Sequence, residues 1–572
     1  KDTCLDAFHR FEPFYTNNLH GGMLAGNTGQ AFRPYDYFSR TPLPDFIFRN
    51  PYTSYFTSTN DVVYYNTRKP FTRFDFKSGG NGYEDVQGVF TLNPTPFLNA
   101  GLKYRSIKTD GNFINSASKN KDFILWQSYT GHRYQNHFNI TISRQSAQEY
   151  GGIINDSVYT EGTRIDLLSV KLNNATSEQR NQAAFFSHEY RFGKMTTDSV
   201  YREEDTVLQL NYHGNFSLYQ DVRLSRNWRI YDDIPGDFYS QIYRNPSYTR
   251  DSIALISGRH QAGILFFGER DSVRTFRIFA GIINEGKRFH LTDRDDFVQN
   301  HYLKAHISDN SRRKFRYKAS ARYGIAGRRQ SDFKSAVSLA YHPDSLQHIS
   351  FNNSLKHEAA NYFYEHFASN HFYWNQALAN EKVVKNELAY HQDKYHLSIR
   401  LNHAILTDPI YIGESLKPEQ FKGSANIISA GLGKEFILGP VGLKTDIIYQ
   451  HINQDSILYI PDLLIFSGLY FEHSLFEKHM LLRIGADARY HSDYTAVTYI
   501  PATGFFAPEN GQSLPESLLV DAYLSFKVKR FRAFIRYNNI GGELLSDAAW
   551  SLLHYPERPS AISFGFSWEF YD

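Results

Sequence analysis

The chain of 572 residues holds one cysteine, Cys4, and only three methionines. One thiol excludes a disulfide framework and any site that needs two thiolates, so Cys4 is read as an unpaired side chain. No run of about 18 apolar residues occurs, so no helix of this chain is built to cross a bilayer. Charge of one sign is scarce too: 62 Lys and Arg against 59 Asp and Glu leave a formal +3. With no basic run or arginine-rich arm, that balance argues against nucleic acid as a partner. HExxH, GxSxG and P-loop patterns are missing despite 23 histidines, so no enzyme and no catalytic residue is expected. The acidic stretches 293–296 and 453–456 lack EF-hand spacing, and neither a metal nor a cofactor is expected. No repeat of about 20–50 residues stands out, which argues against a propeller.

What the chain has is rings: 41 Tyr and 46 Phe, in a sequence whose mean hydropathy is nevertheless −0.50. A soluble sandwich would bury such rings in a core. A membrane barrel displays them on its outer surface and at both interfaces, around a polar interior. Alternation separates the two cases. Met480, Leu482, Ile484, Ala486, Ala488 and Tyr490 share one face, and Arg483, Gly485, Asp487 and Arg489 the other. Phe315 to Tyr323, Val441 to Tyr449 and the hairpin Val520–Val528/Phe531–Tyr537 repeat that period of two. Tight turns near 438–441, 477–479 and 529–530 alternate with long polar segments at 408–424, 491–517 and 541–559. Barrels of the outer-membrane type sort their connections in this way, with short periplasmic turns and long extracellular loops.

These patterns predict an all-β fold, a transmembrane antiparallel β-barrel of roughly 18–22 strands that begins near Phe71. Residues 1–60, rich in Gly, Pro and rings without a clean period, are read as an irregular segment plugging the lumen or lying at its periplasmic mouth, or equally as irregular early strands, and 61–572 as a single barrel. In the noisier first half, 145–181, 231–259 and 285–300 read as long loops, with strands extending beyond the membrane in some of them. The chain starts at Lys1 without Met, which is read as a mature form that has lost an export signal. At the other end, Ile562, Phe564, Phe566, Trp568 and Phe570 alternate with Ser563, Gly565, Ser567 and Glu569, the pattern of a closing strand.

If the apolar positions face lipid, the alternate ones face the lumen: Arg277, Arg316, Lys318, Arg322, Lys444, Asp446, Arg483, Asp487, Arg489, Lys527, Arg532 and Arg536, with Asp521 and Glu569 alongside. Basic side chains dominate this set. Such a wall would concentrate anions. The same residues could instead pair across strands and simply fill the interior. Tyr323, Tyr449, Tyr490, Tyr537, Trp568, Phe570 and Tyr571 stand at strand ends, where girdle aromatics meet headgroups.

The stretches "LDAFHRFEPF", "LAGNTGQAF", "YYNTRKPFTRFDF", "NPTPFLNAGLKYRSIKTDGNF", "YHSDYTAVTYIPATGFFAPENG" and "YPERPSAISFGFSWEFYD" resemble the Bacteroidetes putative-porin family. The last 140 residues or so also resemble TonB-dependent receptor barrels, although neither a separate globular plug nor a TonB box is evident, which argues against energised transport. The resemblance implies an outer-membrane barrel, and the aromatic ending resembles the carboxyl-terminal signal of such barrels, with Asp572 departing from it. The expected function is a porin-like channel for passive diffusion of small polar solutes, anion-preferring through its basic wall. Outer-membrane lipid, the barrel-assembly machinery during insertion and other outer-membrane proteins are the expected partners. The alternative is an occluded barrel serving as a structural subunit of an outer-membrane assembly or of a transport or secretion complex. A barrel enzyme and a plugless TonB-dependent transporter are weaker readings.

Overall fold

The computed structural model describes residues 5, 7–202, 205–270, 273–309, 314–541 and 549–571. Cys4 lies outside them. Twenty-two antiparallel strands form one closed barrel, from Phe71–Ser78 to Ala561–Tyr571. The last strand pairs with Phe531–Asn538 on one side and with the first strand on the other, in register Phe71↔Tyr571 to Ser78↔Phe564. Closure leaves no strand edge, so every strand pairs on both sides, as a hydrocarbon environment requires. No helix is long and apolar enough to cross a membrane.

Side-chain alternation decides which face goes where. On the closing strand Ile562, Phe564, Trp568 and Phe570 are exposed on the outer surface, whereas Ser563 and Ser567 are buried inside. The connections are sorted by end. Turns such as 96–97, 131–133, 439–440 and 529–530 sit at one end with the termini of the barrel, and the connections 150–174, 359–380, 492–516 and 539–560 sit at the other. The hairpin Ala175–Arg202/Asp205–Asp233 runs past its neighbour at the short-turn end, since Tyr190 is already opposite Tyr134.

Three of the expected loops are shorter than the sequence suggested. Residues 285–300 are mostly strand: Val273–His290 and Asp295–Asp309 are joined by 291–294 alone. Strands likewise reach Glu149 and Asp233 and resume at Ala175 and Thr249. The reason is that these strand ends carry polar groups on both faces. Lys287 pairs with Glu285 and Asp45 inside the barrel, while Arg288 pairs with Asp295 outside it. The apolar half of the alternation is therefore lost although the backbone continues.

The interior also differs from the expected polar lumen. Phe11, Phe14, Tyr15, Met23 and Leu24 of the amino-terminal segment join Tyr150, Tyr494, Tyr499, Leu552 and Tyr555 from the long connections in one buried cluster. A second cluster packs Phe46 and Phe48 on Phe363, Phe367 and Phe505. The rings thus serve two surfaces, an outer one facing lipid and an inner one between the segment, the loops and the wall. Composition alone could not divide them.

Candidate functional site

The lumen is the candidate site, and its first component is the amino-terminal segment. In "LAGNTGQAF" the backbone turns at Gly26 and Gly29, with φ of +107° and +100°. A Cβ at Gly29 would lie 2.3 Å from Ser118 Oγ, so only glycine lets the turn press against the wall. Asn27 donates its side-chain amide to Ser116 Oγ at 2.8 Å, and the Ser118 hydroxyl donates to the Thr28 carbonyl at 2.8 Å. The motif is a clamp between segment and barrel.

Charge completes the attachment. Asp487, on Met480–His491, accepts two hydrogen bonds from the Arg10 guanidinium at 2.7 and 3.0 Å and lies 3.1 Å from His9 Nε2. Arg536, on Phe531–Asn538, donates to Asp521 at 2.7 Å and to the His9 carbonyl at 3.2 Å, with Glu12 at 3.4 Å. Arg489 pairs with the same Asp521 and lies 4.1 Å over the Tyr15 ring. Arg558 closes the group on Glu12. Further along, Asp446 takes Arg400 at 2.6 Å and His20 at 3.2 Å, and Gln450 donates to the Tyr35 carbonyl and accepts from the Tyr37 amide, both at 3.1 Å. Asp487, Arg489, Asp521 and Arg536 are nearly inaccessible to solvent. Buried charges of this kind persist only when paired, because desolvation of a lone ion costs several kcal/mol.

The second component lies on strands Asp295–Asp309, Phe315–Gly327, Phe333–Tyr341 and Gln347–Glu358. Their pairing sets Lys304 opposite Arg322, Arg322 opposite Lys334, and Lys334 opposite Lys356. Four cations thus stand in one row across four strands, on the inner face. Directly opposed like charges destabilise a sheet. Partial compensation comes from Glu358, which pairs with Arg322 and lies 3.6 Å from Lys356, and from Glu381, 3.5 Å from Lys356. Lys304 donates to Gln261 Oε1 at 3.1 Å, and Lys334 is exposed.

All twelve residues assigned to the lumen from sequence stand on the inner side of their strands, opposite in parity to exposed neighbours such as Ile278, Tyr323, Tyr449, Ile484, Val528 and Ile535. Their roles diverge. Asp446, Asp487, Arg489 and Arg536 hold the segment, Arg322 and Arg483 pair with Glu358 and Glu472, and Arg532 lies 4.7 Å over Phe8. Arg277 and Lys527 are partly buried with partners of their own. Arg316, Lys318 and Lys444 are exposed near the strand ends opposite the long connections, so exposed charge lines the lumen there.

Of the strand-end aromatics, Tyr323, Tyr449, Tyr490 and Tyr537 lie toward the long-loop end, and Trp568 and Phe570 toward the other. The Tyr490 hydroxyl donates to Glu516. The Tyr571 side chain falls outside the described residues. Sequence reasoning missed Lys304, Lys334 and Lys356. The alternation in "FKSAVSLAY" marks Lys334 as inward, but nothing local says which residue faces it across the strand.

At the long-loop end, His554 Nδ1 lies 3.0 Å from Asp156 and its Nε2 3.3 Å from Glu509. Burial opposes a charge on this ring, yet the hydrogen bond to Glu509, with Asp156 adding to it against the repulsion of Lys171, raises its pKa above the ordinary 6.5. The contact ties together connections 150–174, 492–516 and 539–560. Among the described residues no cluster of three or more His, Cys, Asp or Glu is arranged to hold a metal ion.

The whole chain, residues 1–572, matches the family described as "Putative porin". A comparison with curated proteins finds no match. Among solved structures, the copper transporter OprC is 10% identical, with 88% of this chain and 80% of that one covered at a TM-score of 0.61. The ferric preacinetobactin receptor BauA from Acinetobacter baumannii is 12% identical, covering 88% and 80%, with a TM-score of 0.58. The ferric-catecholate import receptor Fiu from E. coli K12 is 10% identical, covering 89% and 82%, also at 0.58. At such identities the likeness concerns the fold. With a matching family along its full length and a closed barrel of 22 strands, the chain belongs to the family described as "Putative porin" and is a multi-pass β-barrel of the outer membrane.

Proposed function

We propose that this protein is a closed outer-membrane channel that passes small polar solutes, anions preferentially, when its amino-terminal segment is displaced. The observation that carries the reading is the buried set of ion pairs by which residues 9–20 grip Asp446, Asp487 and Arg536, the last held in turn by Asp521. A permanently open pore has no use for a matched charge lattice at its centre. Displacing the segment would leave the row Lys304, Arg322, Lys334 and Lys356 beside the path, and a confined wall of one sign favours counter-ions by focusing the field. Transport is by diffusion and needs no covalent step. Structural neighbours that are named as import receptors or as a copper transporter agree with passage opened on demand.

The occluded interior equally favours a second reading, a filled barrel that is a structural subunit of an outer-membrane assembly. Planar-bilayer recording separates the two. The intact chain is expected to be nearly silent, and Asp487→Asn with Asp521→Asn to conduct with a reversal potential on the anion side. Porin-level current from the intact chain overturns the gate, and a cation-side reversal potential overturns the selectivity. Silence of both proteins, with segment 9–20 shown to be released, overturns the channel in favour of the structural subunit.

A further inference from the structure

The outer surface carries a feature that the lumen does not explain. On six adjacent strands, from Tyr134–Glu149 to Asp295–Asp309, successive outward rows can be followed through the register. One row reads Ile140, Ala184, Leu224, Gly258, Gly286 and Gln299. Its small members leave a groove of about 630 Å³, walled by the exposed side chains of Ile142, Leu224, Ile256 and Phe297. The two glycines are not imposed by packing. A Cβ at Gly258 would meet only Leu224, at 3.5 Å, and one at Gly286 only the Phe297 ring, at 3.4 and 3.5 Å. Elsewhere in the wall the demand is real: a Cβ at Gly263 or Gly281 would lie 2.4 Å from a backbone oxygen.

The next row toward the long loops sets Arg226 and Arg288 among the groove walls Ile142, Ile256 and Phe297, and the row after it holds Arg144, Arg180 and Trp228. Arg226 and Arg180 lie 4.8 and 5.3 Å over the Trp228 ring. Glu178 serves both Arg144 and Arg180, and Asp295 serves Arg288. Among the described residues no carboxylate pairs with Arg226, and four guanidiniums share two carboxylates. An apolar groove at membrane depth thus ends, on the side of the long loops, in an excess of arginine. Planar guanidiniums favour phosphate through paired hydrogen bonds.

We propose that this face binds one phosphate-bearing glycolipid of the outer leaflet, with an acyl chain in the groove over Gly258 and Gly286 and a phosphate on Arg226 and Arg288. The site lies outside the lumen and is independent of the gate. The test is native mass spectrometry of the full chain in phosphatidylcholine nanodiscs doped with diphosphoryl lipid A, with phosphatidylglycerol in a parallel arm. The chain is expected to retain one lipid A. Either Arg226→Gln with Arg288→Gln, or Gly258→Leu with Gly286→Leu, is expected to lower retention about tenfold, while the heat-modifiable mobility of a folded barrel stays unchanged. The glycine pair fills the groove without touching charge, and the arginine pair removes charge without filling it, so the two variants test chain and headgroup separately. Equal retention by the intact chain and both variants would mean annular lipid only and overturn the site. Preference for phosphatidylglycerol over lipid A, equal retention of phosphatidylcholine, or a protein bound there that lipid A does not displace would each overturn it as well.

Discussion

The two sides of the lumen handle charge in opposite ways. Strands from Val441–Ile452 to Phe531–Asn538 present Asp446, Asp487, Arg489, Asp521 and Arg536, all buried and matched by partners that include His9, Arg10, Glu12 and His20 of the amino-terminal segment. Strands from Asp295–Asp309 to Gln347–Glu358 present Lys304, Arg322, Lys334 and Lys356 in a row, with fewer carboxylates and greater exposure. Both walls are rich in arginine or lysine. One uses charge to hold a segment in place, and the other leaves it in part exposed. Composition cannot distinguish these uses, because the difference lies in what each cation faces.

The sharpest break is at Asp521. Asp521→Ala leaves Arg489 and Arg536 buried without their shared carboxylate, an imbalance worth about 3–5 kcal/mol. Residues 9–20 should then become accessible to protease and exchange their amides faster, while the barrel strands stay protected. The same substitution logic at Lys334 or Lys356 should release nothing. On the proposed gate, neutralising those two, Lys334→Gln with Lys356→Gln, in the Asp487→Asn, Asp521→Asn variant should lower the anion-to-cation permeability ratio several-fold. Reversal potentials in a salt gradient measure it.

A smaller effect is expected at the loop end. The His554 pKa is raised in the folded protein, so its contacts with Asp156 and Glu509 contribute fully below the ordinary value of 6.5 and are lost as pH rises through the folded value. Hydrogen exchange in 549–556 should therefore increase with pH beyond the intrinsic rate, and His554→Gln should abolish that excess. Smallest of all, Lys334→Gln alone should stabilise the barrel by about 0.2–1 kcal/mol, because it relieves like charges in direct opposition. A denaturant midpoint series checks this, and a loss of stability would mean that Lys334 is held by partners as the opposite wall is.

Much of the barrel was legible because a period of two needs only nearby residues. Met480–His491 and the hairpin Ser517–Val528/Phe531–Asn538 announce their inner and outer faces in a dozen residues each. The ends of Val273–His290 and Asp295–Asp309 were not legible, because ion pairs inside and outside the barrel make both faces polar there. The inward residues of the readable strands could be named. Their functions could not, since Arg489 and Lys334 differ only through residues tens or hundreds of positions away.

The sequence by itself determined that this chain forms strands with one lipid-worthy face, sorted its turns from its loops, and marked which side chains face inward. Those properties are local, set by alternation and turn chemistry. Only the tertiary structure decided that His9, Arg10 and Glu12 meet Asp487 and Arg536, that four cations line up across four strands, and that Gly258 and Gly286 share a groove. The row and the groove depend on strand register, and the first meeting on the packing of the segment within the ring, which brings together residues as far apart as Glu12 and Arg558; no local pattern encodes either.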